Sequence, residues 1–208
     1  MSELRLVLVR HGQTPSNVIG SLDSRPPGPP LTELGRAQAA AVGEALAALP
    51  VVAVYASVAV RAQETAAPIA AAHGLPVQVA EGIHEAFVGD LECLNDPDSL
   101  RTFFDVFHRW TRDLDLDVPM PGGESAQQVL DRFLPVVADI RARHSDGVVV
   151  LVSHGAAIRI TSFALSPNVD AELADQHLID NCGRVVLEVD GTSPTGWRCL
   201  EWAGIPVA

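Results

Sequence analysis

The sequence contains no lysine. All fourteen basic side chains are arginine, set against 26 aspartates and glutamates, for a formal charge of −12 over 208 residues. Without a lysine amine there is no protein Schiff base, which excludes pyridoxal phosphate enzymes and Schiff-base aldolases. A Walker A phosphate loop is excluded for the same reason. The negative charge and the lack of a basic stripe argue against nucleic acid as a partner. Cysteine is scarce: Cys93, Cys182 and Cys199 lie far apart, form no C-x-x-C and leave an odd count, so no disulfide framework is expected. No uncharged apolar run reaches the roughly eighteen residues of a membrane helix. The apolar run Leu4–Val9 is too short for a signal peptide, so no membrane association and a reduced, cytoplasmic setting are expected. The histidines show no H-E-x-x-H or similar ligand spacing, which argues against a zinc hydrolase.

What is present is a regular alternation of strand-like and helix-like segments. Leu4–Val9 and Val51–Ala56 are short apolar runs rich in β-branched residues, and Val148–Val152 is the clearest of this kind. Val77–Ala80 reads as an edge strand. Thr32 caps a helix predicted to run to about Leu49, where Pro50 stops it. Arg61–Ala72 reads as helix despite Pro68. Ser125 and Gln128 form a capping box before a helix carrying Val129, Phe133, Val137 and Ile140. Ala156–Leu165 is a further helix, and Arg184–Val189 with Trp197–Trp202 predicts a final strand pair. Aromatics make up only 5% of the chain, yet Phe103, Phe104, Phe107 and Trp110 share one predicted helix face with Leu100, capped by Asp98 or Ser99. The fold class predicted is α/β. It is a three-layer sandwich with a mostly parallel central sheet flanked by helices, and a small helical lobe over the active site. Residues 1–208 are expected to form a single domain, with about 90–123 as the lobe. That lobe could narrow a substrate entrance or bury a homodimer face.

Three polar clusters each follow a predicted strand directly: Arg10-His11-Gly12-Gln13-Thr14, then Ser57 with Arg61, then Ser153-His154-Gly155. In open α/β sheets ligands sit beyond the carboxyl ends of the strands, so parallel strands would bring two arginines and two histidines to one spot. Guanidinium forks suit phosphate oxygens. A phosphate about 4 Å from one of them gains on the order of 4 kcal/mol per unit charge at an effective dielectric near 20. A neutral imidazole is a competent nucleophile towards phosphorus. Gly12 and Gly155 leave room for backbone N–H groups near an anion. A leaving alkoxide needs a proton, and His84-Glu85 offers two candidate donors that chemistry alone does not separate.

These residues resemble the histidine phosphatase superfamily, the phosphoglycerate mutase-like proteins. The opening Arg10-His11-Gly12-Gln13-Thr14 with Asn17, followed by Leu31-Thr32-x-x-Gly35-x-x-Gln38-Ala39, is similar to that family's first motif. Ser57-x-x-x-Arg61-Ala62-x-x-Thr65 resembles its second-arginine motif, Glu85-x-x-x-Gly89-x-x-Glu92 its proton-donor segment, and Val152-Ser153-His154-Gly155 its second-histidine segment. The motifs occur in the family's order and span most of the chain. The resemblance implies that His11 is the nucleophile and passes through a phosphohistidine. It implies that Arg10, Arg61 and His154 bind the phosphoryl group and stabilise its transition state, and that Glu85 is the general acid and then the base for water. Asn17, Gly155, Gln13 and Thr14 are implied as phosphate or substrate contacts, with no metal and no cofactor. Two departures border the pocket: Leu91-Glu92-Cys93 replaces the family's aromatic-Glu-Gly, and the Pro-rich stretch Arg25–Pro30 is longer than usual. The expected function is a metal-independent phosphomonoester hydrolase acting on a small phosphorylated metabolite. The alternatives are a phosphoglycerate-mutase-type phosphotransferase and a phosphate-binding regulatory protein with little turnover. The shorter chain and the missing lysines favour hydrolysis.

Overall fold

The computed structural model describes residues 3–208. Its centre is a seven-stranded sheet. β1 (Arg5–Arg10), β2 (Val51–Ser57), β3 (Val77–Ala80) and β4 (Val148–Ser153) form the parallel half, in the order β3-β2-β4-β1. β5 (Arg184–Val189), β6 (Trp197–Trp202) and β7 (Ile205–Pro206) continue the sheet antiparallel beyond β1. β3 is the edge strand the sequence predicts.

The central strands β1, β2 and β4 read as mostly apolar runs because the sheet is covered on both faces there. Leu6 and Leu8 point into one layer and Val7 and Val9 into the other, as strand alternation requires. All six residues of β4 are buried. One layer holds α2 (Glu33–Leu46) and α3 (Val60–Ala72), through Val42, Leu46, Ala62 and Ile69. The other holds α5 (Ala126–Arg143) and α6 (Gly155–Leu165), through Val129, Phe133, Ile140 and Ile158. The Ser125–Gln128 capping box forms in both directions, with 3.2 Å and 2.9 Å bonds.

Two boundaries and two short helices differ from the sequence reading. α2 ends at Leu46, three residues before the predicted stop. The aromatic helix α4 (Pro97–Thr111) is capped by Asp96, whose Oδ1 accepts from the N–H groups of Asp98 and Ser99, and not by Asp98 or Ser99 themselves. Pro97 sits at the first helical position, where its fixed φ and missing N–H cost nothing. A short helix α7 (Ala171–Gln176), capped by Asp170, and the four-residue α1 (Pro15–Val18) went unpredicted, being too short to show a period.

α4 divides its aromatic stripe. Phe107 and Trp110 are buried in the main core, and the Trp110 indole donates to Val118 O at 2.7 Å. Phe103 is only partly buried and Phe104 is exposed.

Phe133 is fully buried under the sheet. Phe133→Ala is expected to cost about 3–5 kcal/mol of unfolding free energy by loss of transfer energy and creation of a cavity. Urea denaturation of both proteins measures this, and a loss under about 1 kcal/mol would contradict the packing described.

Candidate active site

The order β2-β4-β1 sets three carboxyl ends side by side. Arg10 pairs with Ser153 in register, and Ala56, one residue before Ser57, pairs with Val152. All three polar clusters therefore leave the sheet at one level. The His11 N–H donates to Ser153 O at 3.0 Å. The His11 and His154 rings lie 5.1 Å apart.

His11 Nδ1 is 2.8 Å from Gly12 O. A carbonyl only accepts, so Nδ1 carries the proton and Nε2 keeps its lone pair. Burial holds the His11 pKa well below the usual histidine value, and the charges of Arg61 and Arg10 add to this. His154 is held low in the same way by burial, Arg61 and His11. Its Nε2 bonds Ser57 Oγ at 2.7 Å.

The loop bearing His11 is fixed by residues of the neighbouring motifs. The Gly12 N–H donates to Thr65 Oγ1 and the Gln13 N–H to Gln38 Oε1, both at 2.9 Å. The helix α2 start packs directly on this loop: a Cβ on Gly35 would lie 2.1 Å from Gln13 O, so only glycine permits the contact. Asn181 Nδ2 donates to His11 O at 3.0 Å and to Asn17 Oδ1 at 3.1 Å.

Arg10 gives one Nη1 bond to Ile179 O at 2.7 Å, while Arg61 donates from Nη2 to Asp23 O at 3.1 Å and lies 3.6 Å from the Asp23 carboxylate. Arg10 Nε, Arg61 Nη1 and His154 Nδ1 are buried with no hydrogen-bond partner among the described residues. The Pro-rich stretch rests on Arg61. Pro27 O accepts the Val60 N–H at 2.9 Å, and Gly28, at φ +65°, sits where a Cβ would be 2.1 Å from Arg61 Nη1. Glu92 holds the start of this stretch by accepting from the N–H groups of Ser24 (2.7 Å) and Arg25 (3.3 Å) and from the Ser24 hydroxyl.

Glu85 reaches the same cavity from the loop after β3. Its carboxylate accepts from the N–H groups of Ala86 and Ala157 (both 2.9 Å) and Ala156 (3.2 Å), capping α6 from outside that helix. His84 does not share this position. Its ring stacks on Phe87 at 4.9 Å, and Glu85 is the one of the pair that lines the cavity.

The cleft spans about 840 Å³, counting the open solvent at its mouth. Arg10, His11, Arg61 and Glu85 form its polar end, with Thr14, Asn17 and Gly155 alongside. Leu22, Val88, Phe103, Phe104, Leu178 and Ile179 form an apolar wall. Arg159, which the sequence reading missed, also lines it. Arg159 donates to Ala174 O, lies 3.7 Å from Asp175 and covers the Phe107 ring. Two expected contacts are not part of the cavity lining: His154, which is wholly buried, and Gln13. The Gln13 side chain turns away to accept from Thr32 Oγ1 at 2.9 Å, because its backbone is pinned against α2. Thr14 is buried and caps α1, with Asn17 completing the box. Among the described residues no three His, Cys, Asp or Glu side chains group as a metal site, and no helix is long and apolar enough to cross a membrane.

Comparison with known proteins places the chain in a family. The family model for the histidine phosphatase superfamily (branch 1) matches residues 6–203. This chain belongs to the histidine phosphatase superfamily. The structure of a mycobacterial glucosyl-3-phosphoglycerate phosphatase in complex with VO3 superposes with a TM-score of 0.82 at 30% identity, covering 97% of this chain and 99% of that one. A 2,3-bisphosphoglycerate-dependent phosphoglycerate mutase of a Methylobacterium species is 39% identical over 165 residues, which cover 76% of this chain and 78% of the mutase. A PE-PGRS family protein of Mycobacterium tuberculosis is 35% identical over 96% of this chain, which spans only 36% of that longer protein.

In this superfamily member the two low-pKa histidines make stability fall with acid. Below about pH 6.5 the unfolded chain binds protons that folded His11 and His154 refuse, so each costs about 1.4 kcal/mol per pH unit until its folded form also protonates. Urea unfolding between about pH 7 and 5 is expected to show this slope, and His11→Gln to reduce it. An unchanged slope in the variant contradicts the buried neutral ring.

Gly28→Ala strains a left-handed backbone position and displaces Arg61. Calorimetric titration with inorganic phosphate is expected to show binding about tenfold weaker, or about 1.4 kcal/mol. Equal affinity would mean that Arg61 does not depend on this loop.

Proposed function

We propose that the protein is a metal-independent phosphomonoester hydrolase that carries the phosphoryl group of a small phosphorylated metabolite on His11 and then passes it to water. One observation carries this reading. Three buried nitrogens, Arg10 Nε, Arg61 Nη1 and His154 Nδ1, make no hydrogen bond among the described residues, Arg61 Nη1 having only the Asp23 carboxylate 3.6 Å away, and they belong to groups that flank the bare lone pair of His11. Buried polar groups are nearly always bonded, and an unpaired one costs about 1–3 kcal/mol, more when charged. A phosphoryl group bound beside His11 would offer oxygens to the groups that carry these nitrogens.

The steps follow from the donors present. His11 Nε2 attacks phosphorus, an N–P bond forms and the P–O bond to the leaving group breaks. Positive charge builds on the ring and is shared with Gly12 O through Nδ1–H. Arg10, Arg61 and His154 hold the equatorial oxygens; in this reading His154 is the tautomer protonated at Nδ1, with its Nε2 paired to the Ser57 hydroxyl at 2.7 Å. Charge neutralisation and positioning supply most of the catalysis in such transfers. Glu85 gives a proton to the leaving oxygen, takes one from water in the second step, and returns to its starting state as the N–P bond breaks. Asn17 and the Gly155 backbone complete the cradle. The carbon skeleton of the leaving group lies along the Phe103 and Phe104 wall.

A second reading, a phosphotransferase of the mutase type, rests on the 39% identity to the Methylobacterium mutase. The two diverge in the second step, where either water or a second hydroxyl accepts the phosphoryl group.

The test is phosphate release from a panel of phosphomonoesters, in chelator, with wild type and His11→Ala side by side. Wild type is expected to release phosphate and to yield a base-stable phosphohistidine on rapid quench. His11→Ala is expected to be folded and inactive. An active His11→Ala protein overturns the mechanism, and interconversion of phosphoglycerates without net release selects the second reading.

A further inference from the structure

The loop that carries Glu85 has no helix or strand of its own, and side chains bond its backbone instead. Arg132 of α5 donates from Nη1 to Gly82 O at 2.6 Å and His84 O at 2.8 Å, and from Nη2 to Glu85 O at 2.9 Å. Ser153 Oγ donates to Ile83 O at 2.6 Å. All four carbonyls from Gly82 to Glu85 are thereby held. The remaining Arg132 donors go to Glu124, with Nε to Oε1 and Nη2 to Oε2, both at 2.9 Å. Glu124 closes the clasp on the far side of Glu85: its Oε2 accepts the Phe87 N–H at 2.9 Å, and its own N–H donates to Phe87 O at 2.8 Å.

This pattern uses all five N–H bonds of the guanidinium on one loop and one carboxylate. Neither Arg132 nor Glu124 lines the cavity, and both are mostly buried, with side chains 16% exposed. Arg132 therefore has no donor left for a substrate. A lysine, with three donors on a flexible stem, could not make the same set of contacts.

We propose that the Glu124–Arg132 pair is the positioning element for the proton donor. It sets the backbone from Gly82 to Phe87 so that the Glu85 carboxyl meets the leaving oxygen. The inference rests on the reading of Glu85 as that donor. A misplaced general acid slows only those reactions whose leaving oxygen needs a proton. A general loss of structure slows all of them. The distinction appears in kcat/KM, which reports the steps up to phosphoryl transfer onto His11.

The experiment compares wild type with Arg132→Gln on p-nitrophenyl phosphate, whose phenolate leaves unaided, and on an alkyl phosphate, whose alkoxide does not. Proton donation contributes about 10²–10⁴-fold, and a displaced rather than deleted donor is expected to cost about 10- to 100-fold in kcat/KM on the alkyl ester. The loss on p-nitrophenyl phosphate is expected to be at least about tenfold smaller. Arg132→Lys is expected to follow Arg132→Gln, and Glu124→Gln to show the same leaving-group dependence to a lesser degree. The Glu124 variant carries the test if Arg132→Gln does not fold. Equal losses on both esters, no loss on either, or full rescue by lysine would overturn the proposal. A wild type inactive on both esters would instead remove the hydrolase reading and this inference with it.

Discussion

Burying like charges together is the constraint around which this structure is arranged. Arg10 and Arg61 stand beside two buried imidazoles, and each arginine lowers the proton affinity of both rings. Burial in turn works against the arginines' own charge, and the carboxylates of Glu85 with Asp180, and of Asp23 with Glu85, oppose that for Arg10 and Arg61 respectively. The protein answers only part of the hydrogen-bonding demand. Ile179 O and Asp23 O each take one donor, and one nitrogen on each arginine and on His154 makes no hydrogen bond among the described residues. Such a site is unstable relative to an apolar core and is held in place by what surrounds it.

What surrounds it is largely backbone geometry. Three adjacent parallel strands end at one level, which brings four groups together without any contact between them being required to form first. Two glycines then let chain segments approach more closely than a Cβ permits. Gly35 seats α2 against the His11 loop, and Gly28 seats the Pro-rich stretch on Arg61. The Pro-rich stretch thus acts as a stiff cover over Arg61, anchored through Pro27 O and Glu92.

Much of the strand and helix pattern was legible in the sequence because burial is written locally. A strand covered on both faces is an apolar run, and a capping box is a four-residue signal. The sheet order was only implied, through the coincidence of polar clusters after strands. Gln13 misled because its motif neighbours face the cavity while its own side chain serves Thr32. The choice between His84 and Glu85 could not be made from adjacent positions. It turns on which of the two reaches the α6 N-terminus, a through-space fact. Asn181, Arg132 and Arg159 were invisible for the same reason: the backbone groups they hold lie 170, 47 to 50 and 15 residues away along the chain. Asp96 was a local miss, since Pro97 marks the first helical position more sharply than the polar residues after it.

The split stripe of α4 has an evolutionary consequence. Phe107 and Trp110 are locked in the core, while Phe103 and Phe104, one turn earlier, face the cleft. Exchange at the outer pair reshapes the space for a leaving group without opening a hole under the sheet. Exchange at the inner pair does the reverse. Selectivity can therefore drift along one helix while the polar end of the cavity stays fixed, so that a single scaffold could acquire new substrates through one turn of α4.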